Sequence, residues 1–206
     1  MADPLPEPSH PFRAKGIVYQ AAHAYYDEHV PGGWDRVVES LAPDVKPFFA
    51  QIHLASAWYD ALPLVPMTEA AARVAGTSFE EVVTGNARWM ARRDLTATYR
   101  FLFKVLAPGF VAPRLPTLSL RYFQLGEVRT VPEHERLTAG MTRVPRALAP
   151  WLACAVRAFV EEALQISGAS RVTVESHTTN DHDVVAGVPT CTLHLAISWS
   201  TAAVGT

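Results

Sequence analysis

Cysteine is scarce in this chain: Cys154 and Cys191 are the only two, one in an expected helix and one in an expected strand, with no CxxC or mixed Cys/His spacing. That excludes a disulfide scaffold or a zinc ribbon and leaves two buried reduced thiols as the expectation. Charge is sparse too. Charged residues make up 18% of the chain, and 18 Lys plus Arg nearly balance 20 Asp plus Glu. No stretch gathers enough basic residues to grip a phosphate backbone, which argues against nucleic acid as a partner. Nor is there an apolar run of the roughly 20 residues that cross a bilayer. The amino terminus places acidic residues and prolines where a signal peptide has a basic and then an apolar stretch, so the cytoplasm is the expected compartment. Catalytic signatures are missing as well. There is no Gly-x-Ser-x-Gly elbow, and Pro31-Gly32-Gly33 lacks the lysine and following Ser or Thr of a phosphate loop. Histidine is absent between His53 and His134.

What is present is material for a core. Hydrophobic residues form 49% of 206 residues, enough for one packed domain, expected over 14–206 behind a disordered, proline-rich arm at 1–13. From Lys15 the pattern is helical, with Ile17, Val18, Ala21, Ala24 and Tyr25 on one face until Pro31-Gly32-Gly33. A second helix is predicted over Trp34–Ala42 and a third from about Asp44 to Trp58, with Val45, Phe48, Phe49, Ile52 and Ala55 inward. Thr68 opens an Ala-rich helix that Gly76 closes in a left-handed turn. Thr77-Ser78-Phe79-Glu80-Glu81 then offers two overlapping capping boxes, which start a fifth helix to about Arg92. Asp94 begins a sixth, carrying Leu95, Tyr99, Leu102, Phe103 and Leu106 before Pro108-Gly109.

Beyond that point the hydrophobic period shortens from about 3.6 to 2. Leu118, Leu120 and Tyr122 alternate with Ser119, Arg121 and Phe123, and Leu137, Ala139 and Met141 repeat the alternation less cleanly. A long helix is predicted from Pro150 to Ser167, then strands at Arg171–Ser176 and Thr190–Ser200, the last with Cys191, Leu193, Leu195, Ile197 and Trp199 on one face. The expected class is α+β: a helical amino-terminal half followed by a four-stranded antiparallel sheet with one long helix packed on it.

The order of several short strings carries a resemblance. Lys15-Gly16-Ile17-Val18-Tyr19, then Trp58-Tyr59 with Leu62-Pro63, the Ala-rich helix, Gly76 and Ser78-Phe79-Glu80-Glu81 lead to Phe101-Leu102-Phe103-Lys104-Val105-Leu106, Pro108-Gly109-Phe110 and Ala112-Pro113. From about Lys15 to Trp199 the chain resembles the haem nitric oxide/oxygen binding (H-NOX) domains, and it is similar to a related family of comparable length found in myxobacteria. The resemblance implies an H-NOX-like fold. It also implies where the haem chemistry should sit, and two departures stand there. The family's axial imidazole corresponds to Leu106-Ala107-Pro108, which has no histidine, and of the Tyr-x-Ser-x-Arg clamp for haem propionates, Tyr122-Phe123-Gln124-Leu125-Gly126 keeps only the tyrosine. No cofactor is therefore expected. Met90, Tyr99 and Tyr122 have atoms that can ligate iron, but buried side chains of these types are ordinarily core.

Two functional readings stay open. In the first, a non-enzymatic, haem-free relative acts through protein-protein contacts as a signalling adaptor or an assembly subunit, with a homo-oligomer among the options. Arg88, Arg92 and Arg93, joined by Arg100, offer a basic partner-binding face, against the plainer reading of a solvated helix surface. In the second, the vacated haem cavity, lined by Trp58, Tyr99, Phe103 and Tyr122, accepts another apolar ligand. The donor-rich run Ser176-His177-Thr178-Thr179-Asn180-Asp181-His182-Asp183 has the atoms for a metal site, but Asn and Asp favour turns there, so a solvated hairpin loop is expected and no metal.

Overall fold

The computed structural model describes residues 9–97, 107–115, 119–180 and 183–201. Its first element is β1, Arg13–Lys15, which lies between β2, Trp58–Asp60, and β3, Phe123–Gln124, in a small antiparallel sheet. Within the expected arm over 1–13, Phe12 is buried and Arg13 pairs with both Asp60 and Gln124, so these two residues belong to the folded part, while 1–8 lie outside the described residues. Helix α1, Gly16–His29, follows at once. A Cβ on Gly16 would lie 2.1 Å from the Leu54 carbonyl oxygen, so the close approach of the 54–57 segment to the start of α1 requires glycine there.

Helix α2, Gly33–Glu39, begins after Gly32 in the left-handed region at φ 81°. The third helix is a correction to the sequence expectation. α3 is a single turn, Lys46–Phe49, and Ile52 stands 83% exposed. Residues 58–60 belong to β2, where Trp58, Tyr59 and Asp60 pair with Lys15, Ala14 and Arg13 of β1. Helix α4, Leu64–Ala75, starts four residues before Thr68, with Leu64 and Met67 fully buried, and ends at Gly76 with φ 67°.

Helix α5, Phe79–Ala97, is set by its cap. The Glu81 amide donates to Ser78 Oγ at 3.1 Å, and the Ser78 amide donates to Glu81 Oε2 at 3.0 Å, a reciprocal capping box. Thr77 also donates its hydroxyl to Glu81, so the second box expected with Glu80 does not form. These bonds, with the Thr77 hydroxyl foremost, pull the Glu81 carboxyl down to about 2. α5 runs past Arg92 and through Asp94, so no new helix begins at Asp94. The rest of the expected sixth helix, with Tyr99, Leu102, Phe103 and Leu106, lies outside the described residues.

A short helix α6, Pro108–Val111, leads into a 3-10 turn at Ala112–Arg114. The strand expected around Leu118, Leu120 and Tyr122 is displaced. The Tyr122 amide closes a turn onto the Ser119 carbonyl at 3.0 Å, and only Phe123 and Gln124 are extended; Leu118 lies outside the described residues.

The main sheet comprises β4, Val128–Glu133, β5, Arg136–Pro145, β6, Ala169–Thr179, and β8, Val188–Thr201, in the antiparallel order β4-β5-β8-β6. A two-residue β7, Val184–Val185, folds onto β8 through a tight Ala186-Gly187 turn. Helix α7, Ala149–Ile166, packs on the sheet and against α5. The alternation in β5 and β8 buries Leu137, Ala139, Met141, Cys191, Leu193, Leu195, Ile197 and Trp199 toward it. Two apolar clusters result. One joins α1, α4 and α5 to the first turns of α7, and the other joins the last turns of α7 to the sheet. The α+β layout matches the one expected, with the small three-stranded sheet and β4 as additions. Among the described residues no helix is long and apolar enough to cross a membrane.

Candidate functional site

Where the helical half meets α7, the packing leaves an apolar cavity of about 80 Å3. Helix α5 contributes Val83, Asn86, Ala87 and Met90, spaced i, i+3, i+4 and i+7 so that they share one face. Helix α7 faces them with Trp151, Leu152, Ala155, Val156 and Phe159, and the turn before β3 closes one side with Ser119, Tyr122 and Phe123. Among these described lining residues there is no imidazole, carboxylate or thiol.

Among the described lining residues Asn86, Ser119, Tyr122 and Trp151 carry polar side-chain atoms. The Tyr122 hydroxyl donates to Asp94 Oδ2 at 2.9 Å, which ties the β3 turn to α5. Asn86 is only 6% exposed, and its Oδ1 has no hydrogen-bond partner. A buried carbonyl-type oxygen left unpaired costs about 1–3 kcal/mol, and such groups are few in native interiors.

Of the four pocket residues expected from sequence, Tyr122 lines the cavity. Trp58 does not: it lies on β2, with the Lys15 ammonium 5.3 Å over its ring. Tyr99 and Phe103 lie outside the described residues. Sequence reasoning missed Asn86, although one signal for it was present. Asn86 is a lone amide in an apolar helical stripe, where a polar residue is out of place unless it has a partner.

The arginine face is engaged inside the chain. Arg88 meets Glu161 of α7 at 3.0 Å, and Arg92 forks onto Glu162 at 2.8 and 3.2 Å. Glu162 is 12% exposed although Arg92 is 66% exposed, so the carboxylate sits in the helix interface under a surface guanidinium. Arg93 stacks over the Trp89 ring at 5.1 Å. Arg157 of α7 returns the pattern by donating to Glu80. Arg88 and Arg92 thus staple α5 to α7, and Arg100 lies outside the described residues.

The donor-rich run is also reorganised. His177 lies within β6, its ring stacked on His194 of β8 at 4.8 Å, and His194 Nε2 lies 3.1 Å from Thr179 Oγ1. Asp181 and His182 lie outside the described residues, and among those described no three His, Cys, Asp or Glu side chains come together as a metal site. Cys154 and Cys191 are free thiols, with burial pushing the Cys154 thiol up.

A second cavity, of about 250 Å3, lies among Tyr19, His23, Trp34, Phe49 and His53. His53 stacks on Tyr19 at 4.7 Å; burial first, and the neighbouring His23 second, lower its pKa to about 4, so the ring is neutral at pH 7. The amides around this cavity are already used: Gln20 donates to the His53 carbonyl at 2.7 Å and Gln51 to the Phe48 carbonyl at 2.9 Å. The α5–α7 cavity is therefore the stronger candidate, since it is apolar and joins the two cores.

The fold has solved counterparts. The Fe(II) unliganded H-NOX protein from K. algicida is 10% identical, with a TM-score of 0.60 over 93% of this chain and 100% of that one. An oxygen-binding H-NOX domain related to soluble guanylate cyclases is 11% identical, with a TM-score of 0.61 over 93% and 98%. The H-NOX protein from S. oneidensis in the Fe(II)NO ligation state is 14% identical, with a TM-score of 0.51 over 91% and 99%. No protein-family model and no curated protein matches the chain. At this identity the likeness concerns fold, and the α+β fold is H-NOX-like.

Proposed function

We propose that the chain is a non-enzymatic, haem-free H-NOX-like sensor that takes a small apolar ligand between α5 and α7 and passes on its occupancy through protein contacts in the cytoplasm. The observation that carries this reading is the apolar cavity at the junction of the two cores. A ligand seated there touches α5, α7 and the β3 turn at once, so its presence can bias how the helical half sits on α7.

The haem-free part rests on fit. The solved counterparts are described as Fe(II), oxygen and Fe(II)NO species. In this chain Ala107-Pro108 stand in the stretch of the family's axial histidine, and the Tyr122 hydroxyl is taken by Asp94. A space of about 80 Å3 is also small beside the roughly 300–1,000 Å3 of pockets for drug-sized molecules, and haem is larger still. The non-enzymatic part rests on a described lining without an imidazole, carboxylate or thiol, so that no base stands beside the Ser119 or Tyr122 hydroxyl within the lining to activate it. The contact surface is assigned away from Arg88 and Arg92, whose guanidiniums would have to leave Glu161 and Glu162 to serve a partner.

Two measurements on the full chain test the reading. Incubation with haem followed by an absorbance scan is expected to show no stoichiometric Soret band, and a one-to-one band overturns the haem-free part. Methyl NMR under xenon pressure is expected to shift Val83, Met90 and Leu152 together. Unmoved methyl signals at these residues overturn the ligand-binding part.

A further inference from the structure

The two edges of the main sheet are built differently. β4 is six residues long and carries Pro132, which has no amide to donate, with Glu133 beside it, a combination that blunts an edge against further pairing. β6 runs for 11 residues with no proline and no lysine, and its one irregularity lies at its start, between Ala169 and Arg171. Among the described residues it pairs with β8 alone, and Arg171, Thr173 and all of 175–179 are exposed. Its outer side therefore offers a long row of backbone amides and carbonyls to another strand. The apolar cluster under α7 reaches this edge through Val174, which is buried, and Val172, which is only partly so.

The charges of β6 are self-complementary. Arg171 and Glu175 are its only Lys, Arg, Asp or Glu residues, and they flank Thr173 on the face turned away from α7, since their β8 partners Ser200, Ser198 and Ala196 alternate with the buried Trp199 and Ile197. Four residues apart along an extended strand, roughly 13 Å, they cannot pair with each other. Among the described residues neither has an ion-pair partner. We propose that the free edge of β6 docks a second copy of this chain, antiparallel about a two-fold axis at Thr173, which joins the two main sheets into one. That register sets Arg171 opposite the partner's Glu175 twice, and Val172 opposite the partner's Val174 on the α7 side, in the reciprocal pairs a two-fold interface requires. The other registers that keep like faces together fail on charge. An axis at Arg171 or Glu175 places identical charges opposite each other, and an axis at Val172 or Val174 brings neither Arg171 nor Glu175 to its counter-charge.

Sedimentation equilibrium of the full chain at low salt, over a wide range of concentration, tests the proposal. The wild-type chain is expected to pass from monomer to dimer as concentration rises. Arg171→Glu and Glu175→Arg each set like charges opposite one another at two places in the dimer, and each is expected to weaken dimerisation by about tenfold. The double variant exchanges the two charges and is expected to dimerise as the wild type does. Both positions are exposed, so the variants should melt as the wild type does when followed by circular dichroism. Amide exchange in β6 of the wild-type chain should also slow as the dimer forms, a readout that needs no variant. A wild-type chain that stays monomeric at every concentration overturns the proposal. So does a dimer whose β6 amides exchange as fast as the monomer's, or one that both single substitutions leave unchanged. A double variant no better than the single ones overturns the register about Thr173.

Discussion

The Trp151 indole N–H of α7 donates to Thr68 Oγ1 of α4 at 3.0 Å, across the interface that joins the carboxy-terminal half to the helical half. The Thr68 hydroxyl donates in turn to the Leu64 carbonyl at 2.8 Å, and Tyr26 Oη of α1 lies 3.4 Å away. Three helices thus meet on one buried oxygen. Thr68→Val keeps the shape and removes that oxygen, leaving the indole and phenol donors without an acceptor. The expected loss is about 2 kcal/mol in urea unfolding, with Thr68→Ser retaining most of it. A Thr68→Val chain as stable as the wild type would refute the role of this contact.

The guanidinium staples between α5 and α7 are expected to act on stability. Exposed pairs contribute about 0.2–1 kcal/mol each, and Arg92 forks onto a mostly buried Glu162. Arg88→Met with Arg92→Met should therefore cost about 1 kcal/mol in low salt, and the difference from wild type should narrow in high salt as screening weakens the wild-type pairs. Equal stability of the two chains at low salt would return these arginines to a partner surface.

His53 predicts a pH dependence. Its folded pKa is lowered to about 4, so between that value and the ordinary 6.5 the unfolded chain binds a proton that the folded chain does not. Stability contributed by the neutral ring is complete above about pH 6.5 and is lost as pH falls toward 4. His53→Phe, which preserves the ring contacts with Tyr19 and Phe48, should flatten the fall in melting temperature between pH 6.5 and 4. An unchanged slope would show that His53 is solvated.

Filling the α5–α7 cavity should separate stability from binding. Ala155→Val adds two methyl groups to the lining, which at about 0.8 kcal/mol per buried methylene stabilises the chain by about 1 kcal/mol after some strain. The same change should abolish the xenon-induced methyl shifts. Stabilisation with the shifts intact would place the xenon elsewhere.

How much of this was legible depends on whether the information lay in a few adjacent residues. The Ser78-Glu81 box and Gly76 mark the boundary between α4 and α5 because caps are short-range chemistry, and the stripes of α7 and β8 are long enough for their periods to show. The small sheet was not legible. Three residues in β1, three in β2 and two in β3 carry no measurable period, and they become strands only because distant segments pair. The spacing of Val45, Phe48, Phe49 and Ile52 fits a long helix as well as one turn, and the pairing of Trp58–Asp60 with β1 selects the shorter α3. For the cavity, Tyr122 was singled out through its motif and is one of the lining residues, while Asn86 gave only the weak signal of a polar residue in an apolar stripe.

The sequence by itself determined the class of fold, the order of its major elements and the missing histidine before Pro108, because hydrophobic period, capping chemistry and residue identity are local properties of the chain. Tertiary structure alone decided that Arg92 meets Glu162, that Trp58 stays away from the cavity, and that Asn86 is among the residues lining it while its Oδ1 is buried without a partner. Each of these is a contact or an absence of contact between residues far apart in the chain, settled by how two apolar cores close on each other rather than by any neighbouring residue.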